Sequence, residues 1–340
     1  MATLNKLRRN NFPQQTIAVK GRRVFDSASI GTGMAFLEGQ LEKIDPKLRE
    51  PLSRTWWPRD IVAKTGGGFV EYTSAYDVSY ATTGGNSNGM IGGETNELPI
   101  MQADISKEIY KVFNWGHVLR VPYIDQQKLQ KIGRDLEGIL NSGLKLVYDK
   151  TLDINVYEGF ADYGTYGIVN NPHVVTKTAA TASDGTTTEW SKKTPDEILT
   201  DINGVITATW VNSEYDLSGM ANHILIPPEQ YSTLVERKVS NDASKSILTY
   251  LLENNIGKEQ GITLFIGPCP FLKGAGTGGT DRMVAYVNDE DKIRFSITVP
   301  LTRSQVESSV TQLSYLSAFV AQFGQVEFLY LQPVQYVDGI

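Results

Sequence analysis

One stripe of apolar side chains limits what this chain can fold into more than any other feature. Leu129, Ile132, Leu136, Ile139, Leu140, Leu144 and Val147 fall at the three- and four-residue spacings that place side chains on one face of an α-helix. Asp125 can cap its start, and from there to Tyr148 the helix would run roughly 36 Å at ~1.5 Å per residue. Gly133, Gly138 and Gly143 fall inside it. A helical glycine costs about 1 kcal/mol relative to alanine. Either something approaches the backbone closely at these positions, or the helix is held mainly by tertiary packing.

The segment before this helix reads differently. Residues 1–28 lack helical or strand periodicity, and Asn10-Asn11-Phe12-Pro13-Gln14-Gln15 is too polar to form a core, so they read as an extended arm. In 29–55, Ala35, Phe36, Leu37, Leu41 and Ile44 predict a helix that Asp45-Pro46 stops. Over 56–100, Trp56-Trp57-Pro58 leads into the alternation Phe69-Val70-Glu71-Tyr72-Thr73. Gly84-Gly85-Asn86-Ser87-Asn88-Gly89 and Gly92-Gly93 follow. That pattern predicts a long β-hairpin with a polar, glycine-rich end, or else a surface loop with incidental strands. A hairpin is marginal alone in water and makes more sense laid against another chain. Residues 104–123 read as strand.

After the helix, 159–190 is loop-like. Its low-complexity stretch over 178–188 is the best boundary between two lobes. Thr194-Pro195-Asp196-Glu197 is a capping box with proline at the first helical position, opening a helix with apolar Ile198, Leu199, Ile202, Val205, Ile206 and Trp210. His223-Ile224-Leu225-Ile226 is a short strand ending at Pro227-Pro228. Helices are predicted over 229–237 and 243–254, and strands over 262–267, 282–287 and 292–299. Most of 303–337 reads as strand. The fold class is α+β, without the βαβ alternation of a doubly wound sheet.

Charge is unevenly spread. Residues 1–25 carry Lys6, Arg8, Arg9, Lys20, Arg22 and Arg23 and no acid, whereas the remainder holds 26 basic and 38 acidic side chains, a net of −12. A basic arm on an acidic body suits docking on a neighbouring acidic subunit or contact with packaged nucleic acid; a disordered, solubilising tail is the plainer reading. No apolar run approaches the roughly 18 residues of a membrane span, and no h-region follows the N-terminal Met, so neither a membrane partner nor a secretory signal is expected. A single cysteine, Cys269, gives no internal disulfide framework and fits a reducing compartment.

Catalytic chemistry finds little support. Gly274-Ala275-Gly276-Thr277-Gly278-Gly279 matches G-x-G-x-x-G, but the strand-like 282–287 follows it where a dinucleotide fingerprint needs a helix. His117 and His223 lie in strands, His173 in a loop, and Cys269 between two prolines has no base visible in the sequence. Asp289-Glu290-Asp291 reads as a turn and has no calcium-loop spacing. No catalytic, cofactor-binding or metal-ligating residue is assigned. A chain of this size with no such constellation points to function carried by its surfaces.

The order of elements resembles a tailed-bacteriophage major capsid protein of the Hong Kong 97 type. Residues 1–28 stand where that family has its N-terminal arm, 56–100 its extended loop, and 125–148 its spine helix. Gly159, Gly164, Gly167, Ile168, Val169 and Asn170 are similar to the stretch that follows the spine helix. Residues 194–210 and 223–227 are similar to the axial lobe, and Phe323-Gly324-Gln325-Val326-Glu327-Phe328-Leu329-Tyr330 to the returning peripheral strands. The resemblance implies a peripheral domain over 101–175 and 303–340 and an axial domain over 176–302. It implies many copies as pentamers and hexamers of an icosahedral shell around double-stranded DNA bound without sequence specificity. Assembly would take place in a bacterial cytoplasm, with separate scaffolding, portal and decoration proteins. An encapsulin-like nanocompartment shares the fold. No long charged helix precedes the arm, so a scaffolding segment is expected to be absent, removed or supplied by another protein. Lys64 has no motif that would make it a cross-linking lysine. Inter-subunit contacts are expected at Lys6, Arg8, Arg9, Arg22, Arg23, Trp56, Trp57 and Tyr72.

Overall fold

The computed structural model describes residues 54–84, 98–131, 135–240 and 245–340. The chain divides into two units, Met1–Arg54 and Thr55–Ile340, and every element below lies in the second. The helix expected over 29–44 and the whole arm fall outside the described residues.

The second unit opens with a single helical turn, α1 (Trp57–Asp60), and a short strand, β1 (Val62–Thr65). A long hairpin follows, β2 (Tyr72–Thr83) and the 23-residue β3 (Ile100–Pro122). Next come α2 (Tyr123–Lys131) and α3 (Leu136–Tyr157). Then come β4 (Val175–Thr178), α4 (Pro195–Asn212), β5 (His223–Ile226), α5 (Pro228–Glu236), α6 (Ile247–Glu253) and α7 (Ile256–Glu259). Strands complete the chain: β6 (Phe265–Pro268), β7 (Arg282–Tyr286), β8 (Ile293–Ile297), β9 (Val299–Ser309), β10 (Ser314–Gly324), β11 (Val326–Phe328) and β12 (Gln335–Asp338). Among the described residues the strands form three sheets, ordered β2-β3-β10-β9, β1-β8-β11 and β4-β12-β7-β5-β6.

Two elements differ from their expected bounds. The hairpin begins at Tyr72, not residue 56, because 56–65 joins the body: β1 pairs in parallel with β8 from Val62↔Arg294 to Thr65↔Ile297. The apolar stripe is carried by two helices. Asp125 lies inside α2, and the cap that starts α3 is Asp135, whose carboxylate accepts from the backbone N–H groups of Glu137 and Gly138 at 3.0 Å each. A Cβ on Gly138 would sit 2.9 Å from Asp135 Oδ2, a contact that a shift of that side chain relieves, whereas a Cβ on Gly143 would meet nothing within 4 Å. The helix also runs nine residues past Tyr148. Polar Asp153 and Asn155 hide that extension in the sequence, and both are buried with partners. Asp153 Oδ1 accepts from the backbone N–H groups of Trp56 (2.9 Å) and Trp57 (3.0 Å), and Asn155 donates to the Gly324 carbonyl (2.8 Å).

Leu144, Tyr148, Leu152 and Val156 of α3 pack on Trp115, Leu119 and Val121 of β3 and on Phe295, Phe323 and Val326. A second core forms where α4 lays Ile198, Ile202, Val205 and Ile206 against the five-stranded sheet. That sheet is the wall between the cores. Ile224, Ile226, Met283 and Ala285 face the α4 side, and Leu225, Val284, Tyr286 and Tyr336 face the α3 side. Burial on both faces explains why β5 reads as an unbroken apolar run and not as an alternation.

A buried polar cluster ties α1 to this wall. Fully buried Asp60 receives hydrogen bonds from Arg59, from the Tyr157 hydroxyl and from His223 Nε2 (3.2 Å), while its carbonyl accepts from the Tyr286 hydroxyl. Burial pushes the Asp60 carboxyl up, but bonds from His223, Arg59 and Tyr157 outweigh it and hold the group below its ordinary 3.8. Burial holds His223 below its ordinary 6.5, only partly offset by Asp60. After α3 the chain turns back on the helix end: Ile168 and Val169 donate to the Val156 and Tyr157 carbonyls at 2.8 and 3.1 Å. Gly167 permits this, since a Cβ there would lie 2.2 Å from the Tyr157 carbonyl oxygen.

These contacts set two expectations. Gly167→Ala should cost about 3 kcal/mol or more as a forced backbone clash, while Gly143→Ala, on an exposed helical position, should add about 1 kcal/mol; urea denaturation measures both. On acidification, the unfolded chain takes a proton at His223 that the folded chain refuses, so stability is full above about pH 6.5 and declines below it. The contribution of Asp60 persists further and is lost as pH falls below its ordinary 3.8. Urea midpoints between pH 7 and 3 should fall in these two stages, and His223→Gln should remove the upper one.

Candidate assembly surface

The hairpin's two faces differ because side chains alternate along a strand. Tyr72, Tyr76, Val78 and Tyr80 of β2 share a face with Met101, Ile105 and Ile109 of β3, through register pairs such as Val78↔Ile105 and Ser74↔Ile109. The pair Tyr76↔Lys107 adds the ammonium 5.7 Å from the tyrosine ring centre. Among the described residues nothing covers this face: Tyr76 is 68% exposed, Tyr80 72% and Met101 73%. The opposite face carries Asp77, Ser79, Asp104, Ser106 and Glu108 and is polar. An exposed apolar face of this length beside a polar one marks a contact surface. A second exposed apolar cluster, Val306, Val310 and Leu313, lies at the β9–β10 turn.

The base of the hairpin is held by polar side chains. Fully buried Glu327 accepts at Oε1 from Thr73 Oγ1 (2.7 Å) and Ser296 Oγ (2.6 Å), and at Oε2 from Arg294 Nε (2.6 Å). Gln322 binds both backbone polar groups of Val70, accepting its N–H at 3.0 Å and donating to its carbonyl at 2.8 Å. It also donates to Asn114 Oδ1 and accepts from Thr298 Oγ1. Tyr110, opposite Thr73 in register, donates to Glu108 (2.6 Å) and to the Phe328 carbonyl (3.3 Å); burial, then Glu108, pushes its phenol pKa up.

Several of the groups weighed for chemistry are engaged within the subunit. His117 stacks on Trp115, with ring centres 4.3 Å apart. His223 is enclosed with Asp60, and burial pushes the Cys269 thiol pKa up. The glycine-rich loop is fastened by carboxylates where a phosphate would need donors. Asp281 takes the Gly274 N–H (2.9 Å), and Asp338 takes the Thr277 N–H (2.8 Å) and hydroxyl (2.9 Å). Among the described residues no three His, Cys, Asp or Glu side chains converge on a metal position, and no helix is long and apolar enough to cross a membrane.

Of the contact residues expected from sequence, Lys6, Arg8, Arg9, Arg22 and Arg23 lie outside the described residues. Tyr72 sits on the exposed apolar face. Trp56 and Trp57 are half-buried within the subunit: Asp153 holds their backbone, and the Trp57 ring meets Phe295 edge-on at 5.7 Å. The rest of the face escaped the sequence reading, although its signal, apolar residues at alternate positions of β2 and β3 with polar ones between, is present.

Residues 86–340 match the family described as major capsid protein. No curated protein sequence matches the chain. Among solved structures, the capsid of Myoviridae phage XM1 superposes with a TM-score of 0.73 at 17% identity, over 89% of this chain and 98% of that one. The capsid of cyanophage P-SCSP1u gives 0.56 at 12% identity, over 94% and 98%. The virus-like particle from Pyrococcus furiosus gives 0.50 at 12%, over 84% and 92%. At these identities the likeness shows the fold, which is that of Hong Kong 97-type capsid subunits.

Proposed function

The chain belongs to the major capsid protein family, and on that premise we propose that it forms pentamers and hexamers of an icosahedral head enclosing double-stranded DNA. As a capsid subunit of a phage virion it associates with itself. The observation that supports a closed shell best is the uncovered apolar face of the hairpin, Tyr72 to Tyr80 opposite Met101 to Ile109. Burying that face needs a second copy, and a hairpin marginal alone gains its order there. In this reading 101–175 with 303–340 forms the peripheral lobe and 176–302 the axial lobe, except that β12 joins the sheet of β5, β6 and β7, and β8 joins that of β1 and β11. The basic arm, with Lys6, Arg8, Arg9, Arg22 and Arg23, docks on the acidic body of a neighbour, and Trp56 and Trp57 lie near that contact. DNA is enclosed without sequence specificity, since a net negative body repels phosphates and lets the duplex slide. Scaffolding, portal and decoration functions belong to separate proteins, and assembly takes place in the host cytoplasm.

Electron microscopy of the sedimented protein tests this reading. Closed shells or rings of five and six are expected, and a chain that stays monomeric at every salt and protein concentration, even when co-expressed with its scaffolding protein, would overturn it. Nucleic acid inside the particles distinguishes a phage head from a nanocompartment, whose cargo is protein. Tyr76→Asp combined with Ile105→Asp should leave the subunit's melting temperature within about 2 °C, as exposed substitutions do, and should abolish particles. Deleting residues 2–24 should also stop assembly while leaving a soluble subunit; normal shells from that truncation would remove the arm's role.

A further inference from the structure

The two strands of the hairpin are rooted by different means. Outgoing β3 is held in the body by a continuous backbone ladder with β10, from Pro122↔Ser314 to Val112↔Gly324. Incoming β2 has no such ladder. Before it, Gly66, Gly67 and Gly68 take φ of 115°, 113° and 71° with no heavy atom near where a Cβ would be. Just after those open glycines, the incoming chain is fixed to the body by Gln322 at Val70 and, at the second residue of β2, by Glu327 at Thr73. The ladder partner of β3 changes from β10 to β2 between Val112 and Lys111, at the same level. The hairpin therefore joins the body through the continuous strand β3, where Tyr110 also reaches the Phe328 carbonyl, and its incoming strand is held by the side chains of Gln322 and Glu327.

The geometry points to Gln322 and Glu327 as positioning residues that set the angle at which the hairpin leaves the body. Through that angle they select the curvature, and hence the diameter, of the assembled shell. Glu327 suits the task because it is fully buried and its oxygens are shared among Thr73, Ser296 and Arg294. Releasing Thr73 leaves the carboxylate paired inside the body, so hairpin direction can change without loss of the core. Gln322 acts in the same way, as a side chain standing in for a missing strand partner of Val70.

The inference rests on the shell-building reading, and two measurements keep them apart. Thr73→Val removes the hydroxyl that reaches Glu327 and leaves Arg294 and Ser296 in place. In the unassembled subunit, amide exchange across 72–83 should quicken about tenfold to a hundredfold, the weight of one bond to a charged group, while the melting temperature stays near the parent's. In assembled material, the single particle diameter of the parent should split into two or more classes by cryo-electron microscopy. Thr73→Ser should restore both readouts. If Thr73→Val does not fold, Thr73→Ala, which also removes the hydroxyl and leaves Glu327 untouched, supplies the same comparison. Unchanged exchange would overturn the clamp, and faster exchange with one unchanged diameter would overturn its control of curvature. A parent chain that forms no shell would remove the shell reading and the curvature claim together, while the exchange result still decides the clamp.

Discussion

Every backbone N–H and C=O that leaves water needs a partner, and in this subunit one strand meets that demand for two otherwise separate parts. Along 112–122 β3 pairs with β10, and along 100–111 with β2. The inner half also supplies Trp115, Leu119 and Val121 to the core over α3. The outer half supplies the exposed Met101, Ile105 and Ile109. Any displacement of β3 is felt by the core and by the projecting face together.

The body behind this strand gains its rigidity from the five-stranded sheet, whose faces close two cores at once, and from polar groups at the seams. Asp60 and Asp153 bring the Trp56–Ile61 turn onto α3 and β5, fixing the chain immediately before β1 and the hairpin. Such groups cost desolvation energy and repay it only while each partner is in place. They make the seam specific more than they make it strong.

Much of the architecture was legible in the sequence. The helix through Leu136–Val147, the Thr194 capping box, the β5 run ending at proline and the order of elements all appear in the structure near their expected places, whereas Leu129 belongs to a separate helix. What the sequence concealed has physical causes. The extension of α3 is masked by Asp153 and Asn155, which look solvent-facing until their partners at Trp56, Trp57 and Gly324, about a hundred residues away or more, are known. Asp135 is indistinguishable from Asp125 as a cap without the backbone that reaches it. The hairpin reads as starting early because Trp56-Trp57-Pro58 leads directly toward the alternation at 69–73, and the pairing of 62–65 with β8 that takes this stretch into the body is non-local. The contact face was half visible: Tyr72 stood out, but its neighbours on β3 join it only once register is fixed.

The hairpin is also long relative to its footing. Twelve residues of β2 extend about 40 Å at ~3.3 Å per residue. A tilt of about 5° at Gly66–Gly68 would carry the far end sideways by roughly 3.5 Å, close to the rise of one residue. That sideways shift is most of the ~4.8 Å spacing between paired strands, enough to move the row Tyr72, Tyr76 and Tyr80 off the surface it meets on another copy. Small angular error at the root is thereby amplified along the hairpin, so how well the apolar face fits a neighbour depends on how firmly the root is held.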